Sequence, residues 1–237
     1  DYAVDAGGVQ ALLATRLGAR KRILDRLLMV CAFFELDDEA DLPALTLLEA
    51  VEYGWWYAAR LPDRRVIVAV ASDAATLKSR RLDETAIWRR HLAASRHLSA
   101  SLRRARCTSD SLTVLLAPTS LLEPAAGPGW IAVGDAASCF DPISAQGIHK
   151  AFALGIAAAD VIAGGDPSGY ATRAQRYEAR VRGEFAQYLQ VRRHFYDIER
   201  RWPHSDFWSA RQHPRSTDIA RPRHPEAPRP AQPGARP

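Results

Sequence analysis

The sequence has few of the features that mark secreted, zinc-binding or membrane proteins. Its three cysteines, Cys31, Cys107 and Cys139, are widely spaced and include no C-x-x-C pair. We therefore expect no disulfide framework and no cysteine zinc site, and we predict a reducing, cytoplasmic location. No run of about 18 apolar residues is present, and no basic segment followed by an apolar one opens the chain. We accordingly expect no membrane partner.

The body of the chain has little net charge, and the excess positive charge lies near the C-terminus. Of the formal net charge of +5, residues 211–237 carry +4, because six arginines there face only Asp218 and Glu226. Residues 1–210 are therefore nearly neutral, and we predict no nucleic-acid partner. The same stretch holds seven of the 15 prolines and almost no large apolar residues. It reads as a disordered basic tail, with a polyproline ligand or a basic anchor as the alternatives.

Apolar patterning predicts a mixed α/β chain. The expected helices are 9–20, 83–104, 146–163 and 170–201, and the expected strands are 2–4, 24–36, 49–59, 66–71, 112–116 and 129–134. The strands between 24 and 71 should form an antiparallel sheet of three or more strands, in which Val66–Ala71 is buried on both faces.

Residues 130–159, WIAVGDAASCFDPISAQGIHKAFALGIAAA, carry the clearest chemical pattern. A strand ends at Gly134-Asp135, an irregular segment with Asp141-Pro142 follows, and a helix of small residues opens near Gly147. A carboxylate at the end of a strand, beside a helix N-terminus, stands where α/β sheets bind ligands. Asp135 can accept hydrogen bonds from sugar-like hydroxyls. The free amides of Gly147 and Ile148 can bind negative charge.

This stretch resembles a known flavin motif. GDAASCFDPISAQGIHKA is similar to the second flavin motif of the FAD-dependent monooxygenase superfamily, in its tryptophan-halogenase-like branch, where GDAA, Asp-Pro and Gly-Val/Ile-His recur. DYAVDAGG resembles the strand-DATG segment, and GWWYAARLPDRRVIVAVASD resembles the substrate-domain hairpin. The resemblance covers residues 1–210. It implies an α/β (α+β) fold: part of a Rossmann-like FAD-binding domain, an antiparallel substrate sheet and C-terminal helices.

The resemblance also implies site residues. Asp135 would bind the ribityl chain of FAD, Gly134 would approach the pyrophosphate, Pro142 would lie near the isoalloxazine, and the Gly147 and Ile148 amides would face its N1/C2 edge. The strand at 2–4 would lie parallel to the strand at 129–134. The cofactor-binding residues implied are Asp5, Gly8, Gly134, Asp135, Ala136, Pro142, Gly147 and Ile148.

Two departures from the family pattern shape the functional expectation. The N-terminal G-x-G-x-x-G fingerprint is absent, so we expect the C-terminal portion of a longer flavoprotein, or a second chain that supplies the ADP-binding half. The halogenase segment W-x-W-x-I-P is replaced by Trp55 to Pro62, WWYAARLP, and Ala145-Gln146 stands where halogenases have small hydroxyl residues. These differences favour hydroxylation or another oxidation over halogenation.

The predicted function is an FAD-dependent oxidoreductase of monooxygenase type. Its substrate would be aromatic or bulky, either a small molecule or a peptide-borne group, with a reductase or NAD(P)H as the electron source. The alternatives are a flavin-dependent halogenase and a non-catalytic degenerate or partner domain. No residue is assigned a catalytic role, and no metal is expected.

Several side chains admit two interpretations. Trp55, Trp56 and Tyr57 either line a substrate pocket or are ordinary strand aromatics. His149 is either a proton donor near the flavin or a helix residue bonded to backbone. Cys139 is either a flavin link or redox thiol, or a small buried side chain.

The predicted organisation has five parts. Residues 1–23 end an FAD-binding domain, 24–118 form the substrate sheet with a helix, 119–165 form the second FAD-binding segment, 166–210 are helical, and 211–237 are the tail.

Overall fold

The computed structural model describes residues 2–38, 42, 44–164 and 169–213. The expected mixture of helices and strands is confirmed. The strands are β1 (Ala3–Asp5), β2 (Arg20–Leu36), β3 (Thr46–Val51), β4 (Gly54–Arg60), β5 (Arg65–Ser72), β6 (Ala105–Cys107), β7 (Thr113–Glu123), β8 (Ala126–Gly127), β9 (Trp130–Ala132) and β10 (Ser138–Cys139). The helices are α1 (Leu12–Arg16), α2 (Ala74–Arg80), α3 (Thr85–Ala93), α4 (Leu98–Ser101), α5 (Gly134–Ala137), α6 (Gly147–Ala163), α7 (Tyr170–Ile198) and α8 (Asp206–Gln212), with 3-10 turns at Gly8–Gln10 and Pro142–Ser144.

A seven-stranded antiparallel sheet forms the larger part of the molecule. Its strand order is β10-β7-β2-β5-β4-β3, and β6 pairs with the far end of β2. The long strand β2 holds the sheet together, because it pairs with β5, β6 and β7. Val66–Ala71 lies inside β5 and is buried on both faces, as the continuous apolar run predicts.

The stretch 49–59, predicted as one strand, is a tight hairpin of β3 and β4 instead. The chain reverses at Glu52-Tyr53, and Val51 pairs with Gly54. Gly54 has φ +151°, and a Cβ there would lie 1.9 Å from the Ala71 carbonyl oxygen. Only glycine fits this close approach of two strands, so an aromatic-rich run that looks continuous in sequence is divided in two.

The two faces of the large sheet have separate cores. On one face, Trp56, Val68 and Val70 pack under the helices α2–α4, where Trp88 meets Trp56 edge-on at 5.1 Å. On the other face, Trp55 and its neighbours pack under α8 and the end of α7. Successive residues of β4 thus point into different cores, as strand geometry requires.

The helix predicted over 83–104 is interrupted. It forms α3 and the single turn α4. Between the two helices, the Glu49 carboxylate of β3 accepts hydrogen bonds from the backbone N–H groups of Arg96 and His97, and also from that of Leu98, the first residue of α4. These bonds satisfy donors that a continuous helix would have used internally. A contact from a residue 47 to 49 positions away therefore fixes the break.

A small three-stranded sheet, in the order β1-β9-β8, carries the Gly134-Asp135 motif. β1 runs parallel to β9, with Val4 opposite Ile131, and the Val133 amide donates to the Asp5 carbonyl at 3.0 Å. The expectation that the first residues lie parallel beside 129–134 is confirmed. The carboxyl ends of both strands therefore meet at one edge, where α5 begins.

Helices α6 and α7 cover this small sheet. Tyr170 and Tyr177 of α7 donate hydrogen bonds to carbonyl oxygens of β8 and β9. The buried stripe of α6 includes Leu154, Ala158 and Val161, in one core with the small sheet and α7. Within the described residues, no helix has the length and apolar character needed to cross a bilayer.

Several element bounds differ from the predicted ones. The helix expected over 9–20 is a 3-10 turn followed by the five residues of α1. β2 begins at Arg20 and β7 ends at Glu123, so each crosses a predicted domain boundary. Arg211 and Gln212 close α8 with buried side chains. The rest of the predicted tail, 214–237, lies outside the described residues.

Candidate functional site

Asp135 lies at the carboxyl ends of β1 and β9, in the first turn of α5. Gly134 before it adopts φ +56°, a left-handed conformation that favours glycine. The Asp135 side chain is 48% exposed. Because α5 packs against both α6 and the Gly8–Gln10 turn, the structure brings together Asp5, Gly8, Gly134, Asp135, Ala136 and the start of α6.

Lys150, which the sequence analysis did not single out, is the ion-pair partner of Asp135. Its Nζ lies 2.7 Å from Asp135 Oδ1, contacts the Ser138 carbonyl oxygen, and sits 4.3 Å from the centre of the Phe140 ring. The lysine side chain is 3% exposed. One oxygen of Asp135 is thus held from within the chain, while the carboxylate remains open to solvent.

The N-terminus of α6 is open. Gln146 precedes the helix without a side-chain capping bond, and the first helical hydrogen bond runs from the Lys150 amide to the Gln146 carbonyl at 3.0 Å. A Cβ on Gly147 would meet nothing within 4 Å, and Ile148 is 78% exposed. A helix leaves its first amides without intrahelical acceptors, so the Gly147 and Ile148 amides, at this accessible end of α6, can donate to a ligand.

The carboxylate of Asp5 is used locally. Its two oxygens accept the backbone N–H groups of Gly7 and Ala14, both at 2.9 Å, and the side chain is buried. Asp5 therefore shapes the turn that contains Gly8 and holds the start of α1. Its contribution to a ligand would come through that turn.

The Asp141-Pro142 turn, which leads into α6, is anchored to α7. Asp141 Oδ1 accepts the Ile143 amide at 3.0 Å. Its Oδ2 accepts the Tyr196 hydroxyl at 2.7 Å and Arg192 Nε at 3.2 Å. The Asp141 amide in turn donates to the Tyr188 hydroxyl at 2.7 Å. Pro142 is thus fixed in place by side chains about 50 residues away.

A buried charge network extends from this turn to the large sheet. Arg192 also contacts Asp25 of β2, and Arg211 of α8 bonds both Asp25, at 2.9 Å, and Asp73, at 2.6 Å. Burial raises the pKa of the Asp25 carboxyl even though Arg211 and Arg192 oppose that shift. The network joins the Asp141 turn, α7, α8 and the sheet into one unit.

The three predicted substrate aromatics occupy different surroundings. Trp56 is fully buried under α3, on the sheet face away from the Asp141 turn. Trp55 faces the turn's side but is also buried, and its Nε1 donates to the Tyr196 hydroxyl at 3.2 Å. Tyr57 is partly exposed beside the same core. Of the three, only Tyr57 has surface accessible for a substrate.

Cys139 and His149, the other candidate reactive side chains, differ in exposure. Burial, and secondarily the charge of Asp135, raises the pKa of the Cys139 thiol to about 11. A thiol with so high a pKa is a poor nucleophile at neutral pH. His149 is exposed on α6. In the part of the chain that is described, no group of three or more His, Cys, Asp or Glu side chains is placed to hold a metal ion.

Comparison with known proteins identifies the family. The model of the tryptophan halogenase family matches residues 1–223. The chain belongs to this family. The resemblance inferred from GDAA, Asp-Pro and Gly-Ile-His is confirmed.

Three relatives illustrate the likeness. LodB of Marinomonas mediterranea, assigned as an FAD-dependent oxidoreductase, is 30% identical over 89% of this chain and 56% of its own length. Tryptophan 2-halogenase of Chondromyces crocatus is 23% identical over 90% and 42%. The crystal structure of CmlS, a flavin-dependent halogenase, superimposes with a TM-score of 0.79 at 24% identity, covering 92% and 41%. The chain spans about half the length of the curated relatives.

FAD, the predicted cofactor, is supported by the family assignment. The donor set fits it. Asp135 offers a solvent-facing carboxylate for a hydroxyl, and the uncapped α6 amides offer donors for an electron-rich edge. The absence of any atom near a Gly147 Cβ leaves room for a flat ring against the backbone. Sequence reasoning found these groups and missed Lys150, Arg192 and Tyr196.

Proposed function

We propose that this chain forms the flavin-facing and substrate-binding part of a flavin-dependent halogenase that acts on an aromatic substrate. The observation that carries the proposal is the solvent-facing carboxylate of Asp135 beside the uncapped N-terminus of α6, in a chain of the tryptophan halogenase family. From the sequence alone, hydroxylation ranked above halogenation. The family and the likeness to CmlS favour the reverse order, which we adopt.

The residues divide the work of holding FAD. Asp135 would accept a hydrogen bond from a ribityl hydroxyl, and the backbone at Gly134 would pass close to the pyrophosphate. The Gly147 and Ile148 amides would donate to the pyrimidine edge, where a helix N-terminus stabilises negative charge by roughly 0.3–2 kcal/mol. When bound and reduced, FAD supplies the activation of dioxygen. The chain's residues orient the cofactor and limit its contact with water.

The proposed net reaction replaces an aryl hydrogen by a halogen. Dioxygen takes up four electrons and becomes two water molecules. Two of the electrons would come from reduced FAD and two from the halide, which is oxidised as it forms the carbon–halogen bond, and the aryl hydrogen leaves as a proton. A reductase or NAD(P)H would supply the electrons that reduce FAD. The substrate is proposed to be an aromatic group, free or peptide-borne. Of the β4 aromatics Trp55, Trp56 and Tyr57, we place Tyr57 at the substrate pocket.

A second candidate is FAD-dependent oxidation without halide, such as hydroxylation. LodB, whose assignment is to an oxidoreductase, is 30% identical, whereas tryptophan 2-halogenase is 23% identical. In addition, Ala145-Gln146 replaces the small hydroxyl residues of halogenases at the turn before α6. The two candidates share the same cofactor site and differ in whether halide is consumed.

The first experiment tests the cofactor site. FAD is titrated into the purified full-length protein and its Asp135→Ala and Ser138→Ala variants. Asp135→Ala removes a charge-assisted hydrogen bond worth roughly 1.5–3 kcal/mol, so FAD affinity should fall about 10- to 100-fold. Ser138→Ala is the control, because Ser138 meets Lys150 through its backbone carbonyl, which the change retains. A larger loss from Ser138→Ala would refute the site, and no FAD binding at all would favour a non-catalytic domain.

The second experiment separates the two reactions. The FAD-loaded protein is given a reductase, NADH and a panel of indoles, pyrroles and phenols, with and without bromide or chloride. Mass spectrometry should find brominated or chlorinated products only when halide is present. Hydroxylated products that form equally without halide would establish the second candidate instead.

A further inference from the structure

Lysine is rare in this chain, and its placement is uneven. The sequence contains 29 arginines and only three lysines, Lys21, Lys78 and Lys150. Two of the three lie near Asp135. Lys150 bonds its carboxylate, and the charges of Asp5 and Asp135 act on Lys21 of β2. Lys78 is exposed on α2. Beside Asp135, the proposed cofactor-binding acid, this arginine-rich chain thus has lysines, whose ammonium group is more compact than a guanidinium.

Lys150 lies on the buried stripe of α6. It shares that stripe with Leu154 and Ala158, positions that otherwise pack against the small sheet and α7. A buried ammonium needs partners. Lys150 finds them in Asp135 Oδ1 at 2.7 Å, in the Ser138 carbonyl and in the face of the Phe140 ring. All three lie in the segment from α5 to the Asp141 turn, so Lys150 connects α6 to that segment.

The ion pair with Lys150 occupies only one of the two carboxylate oxygens of Asp135. A carboxylate has two oxygens and about four acceptor sites. Lys150 contacts Oδ1 from the protein side, and the side chain is still 48% exposed. An exposed aspartate without such a partner samples several rotamers, and a ligand must restrict them on binding. The ion pair already restricts the Asp135 rotamers in the folded protein. Ligand binding therefore does not have to lose that side-chain entropy, and the affinity is higher.

We propose that Lys150 is a positioning residue for FAD: it holds the Asp135 carboxylate in the orientation that accepts a ribityl hydroxyl. This inference rests on the proposed FAD site at Asp135 and adds a residue that the family motif does not assign. Lys150 acts through Asp135, so its effect on FAD binding depends on the charge of that residue.

A double-mutant cycle tests this dependence. The dissociation constant for FAD is measured by flavin fluorescence in the full-length protein for Asp135→Asn, Lys150→Met and the double variant. We expect Lys150→Met alone to weaken FAD binding at least fivefold. Added to Asp135→Asn, it should weaken binding by no more than about twofold further, because neighbouring groups that act as one unit are not additive.

The controls separate positioning from general damage to the fold. Lys78→Met makes the same substitution at an exposed lysine and should leave the affinity unchanged. Lys150→Gln keeps N–H donors for the Ser138 carbonyl and removes the charge. It should weaken FAD binding like Lys150→Met, and it provides the measurement if the methionine variant does not fold.

Each outcome has a definite meaning. If the losses from Asp135→Asn and Lys150→Met multiply in the double variant, Lys150 supports the fold generally and the inference fails. If Asp135→Asn weakens FAD binding and neither Lys150 variant does, the inference fails while the proposed site stands. If Asp135→Asn has no effect, the proposed site itself is refuted.

Discussion

Asp135 and Asp141 lie six residues apart in the same segment, and their surroundings are opposite. Asp141 is fully buried, and both of its oxygens are occupied by Ile143, Tyr196 and Arg192. Asp135 is half exposed, and its side-chain partner among the described residues is Lys150. A fully buried carboxylate has no surface that a ligand can reach, whereas Asp135 keeps a solvent-facing side. The first acid of the segment is therefore available to a cofactor, and the second holds the architecture.

The two ion pairs also differ in what their loss would cost. Burying charged groups carries a desolvation penalty that the pair only roughly repays, so the presence of a buried pair is weak evidence of stability. Removing one partner is different, because the other charge remains buried without compensation. In the Asp141 pair both side chains are buried, with Asp141 0% and Arg192 11% exposed. In the Asp135 pair Lys150 is buried but the carboxylate is 48% exposed, so water screens this pair from the side of the acid.

The largest expected effect comes from neutralising these acids in turn. Asp141→Asn should lower the free energy of unfolding by about 3–5 kcal/mol. Within the described part of the chain, Arg192 keeps only Asp25 as a largely buried countercharge. An amide NH2 cannot accept the bonds that Arg192 and Tyr196 donate to Asp141.

Asp135→Asn should lower the free energy of unfolding less, by about 1–2 kcal/mol, because the acid is half exposed. The buried Lys150 ammonium also keeps the Ser138 carbonyl and the Phe140 ring as partners. Urea denaturation followed by tryptophan fluorescence measures both. Equal losses in the two variants would show that the acids do not differ as the structure indicates.

Features that depend on neighbouring residues in the chain could be predicted from the sequence. Apolar runs predicted β2, β5, α6 and α7 near their observed bounds, because each pattern lies within a single element. The order of GDAA, Asp-Pro and Gly-Ile-His indicated the family, to which the chain belongs. Contacts between distant elements left weaker signals. Arg192 stands at a skipped position in the apolar face of α7, and Lys150 stands on the buried stripe of α6. A charge within an apolar stripe is the signal by which both residues are detectable.

Other features depend on contacts with residues distant in sequence, which no local pattern predicts. The break between α3 and α4 depends on Glu49, and the β3–β4 reversal depends on the approach of Ala71 to Gly54. Trp55 and Trp56 look alike in sequence, yet one packs under α8 and the other under α3. Alternation along the strand predicts that they face opposite ways, but not which of the two faces the flavin segment.

A smaller effect is expected at Tyr196, which completes the surroundings of Asp141. Its hydroxyl donates to Asp141 and accepts from Trp55 Nε1. Tyr196→Phe keeps the ring and removes both bonds, so unfolding free energy should fall by about 1–3 kcal/mol. Tyr57→Phe is the matched control, since Tyr57 takes no part in the described contacts of Asp141. A Tyr196 variant as stable as the control would mean that Arg192 and the Ile143 amide suffice to hold the turn.

The smallest expected effect concerns Cys139, which lies between the two acids and is buried. Its pKa rises from 9.0 to about 11, mainly through burial and secondarily through the charge of Asp135. Between these values the unfolded thiol loses its proton while the folded thiol keeps it, so the unfolded state binds fewer protons and stability falls as pH rises. The contribution is fully present below pH 9 and is lost as pH approaches 11.

This loss is measurable as a difference between variants. From pH 8 to pH 10, the stability of the wild type relative to Cys139→Ala should fall by about 1 kcal/mol, because one pKa unit corresponds to about 1.4 kcal/mol. Urea denaturation at the two pH values gives the difference, and tyrosine and other thiol titrations cancel because both proteins share them. A Cys139 difference that stays constant with pH would show that burial does not raise the pKa of this thiol. Water would then reach a position between the two acids, against the closed surroundings that the structure gives to the side of Asp141.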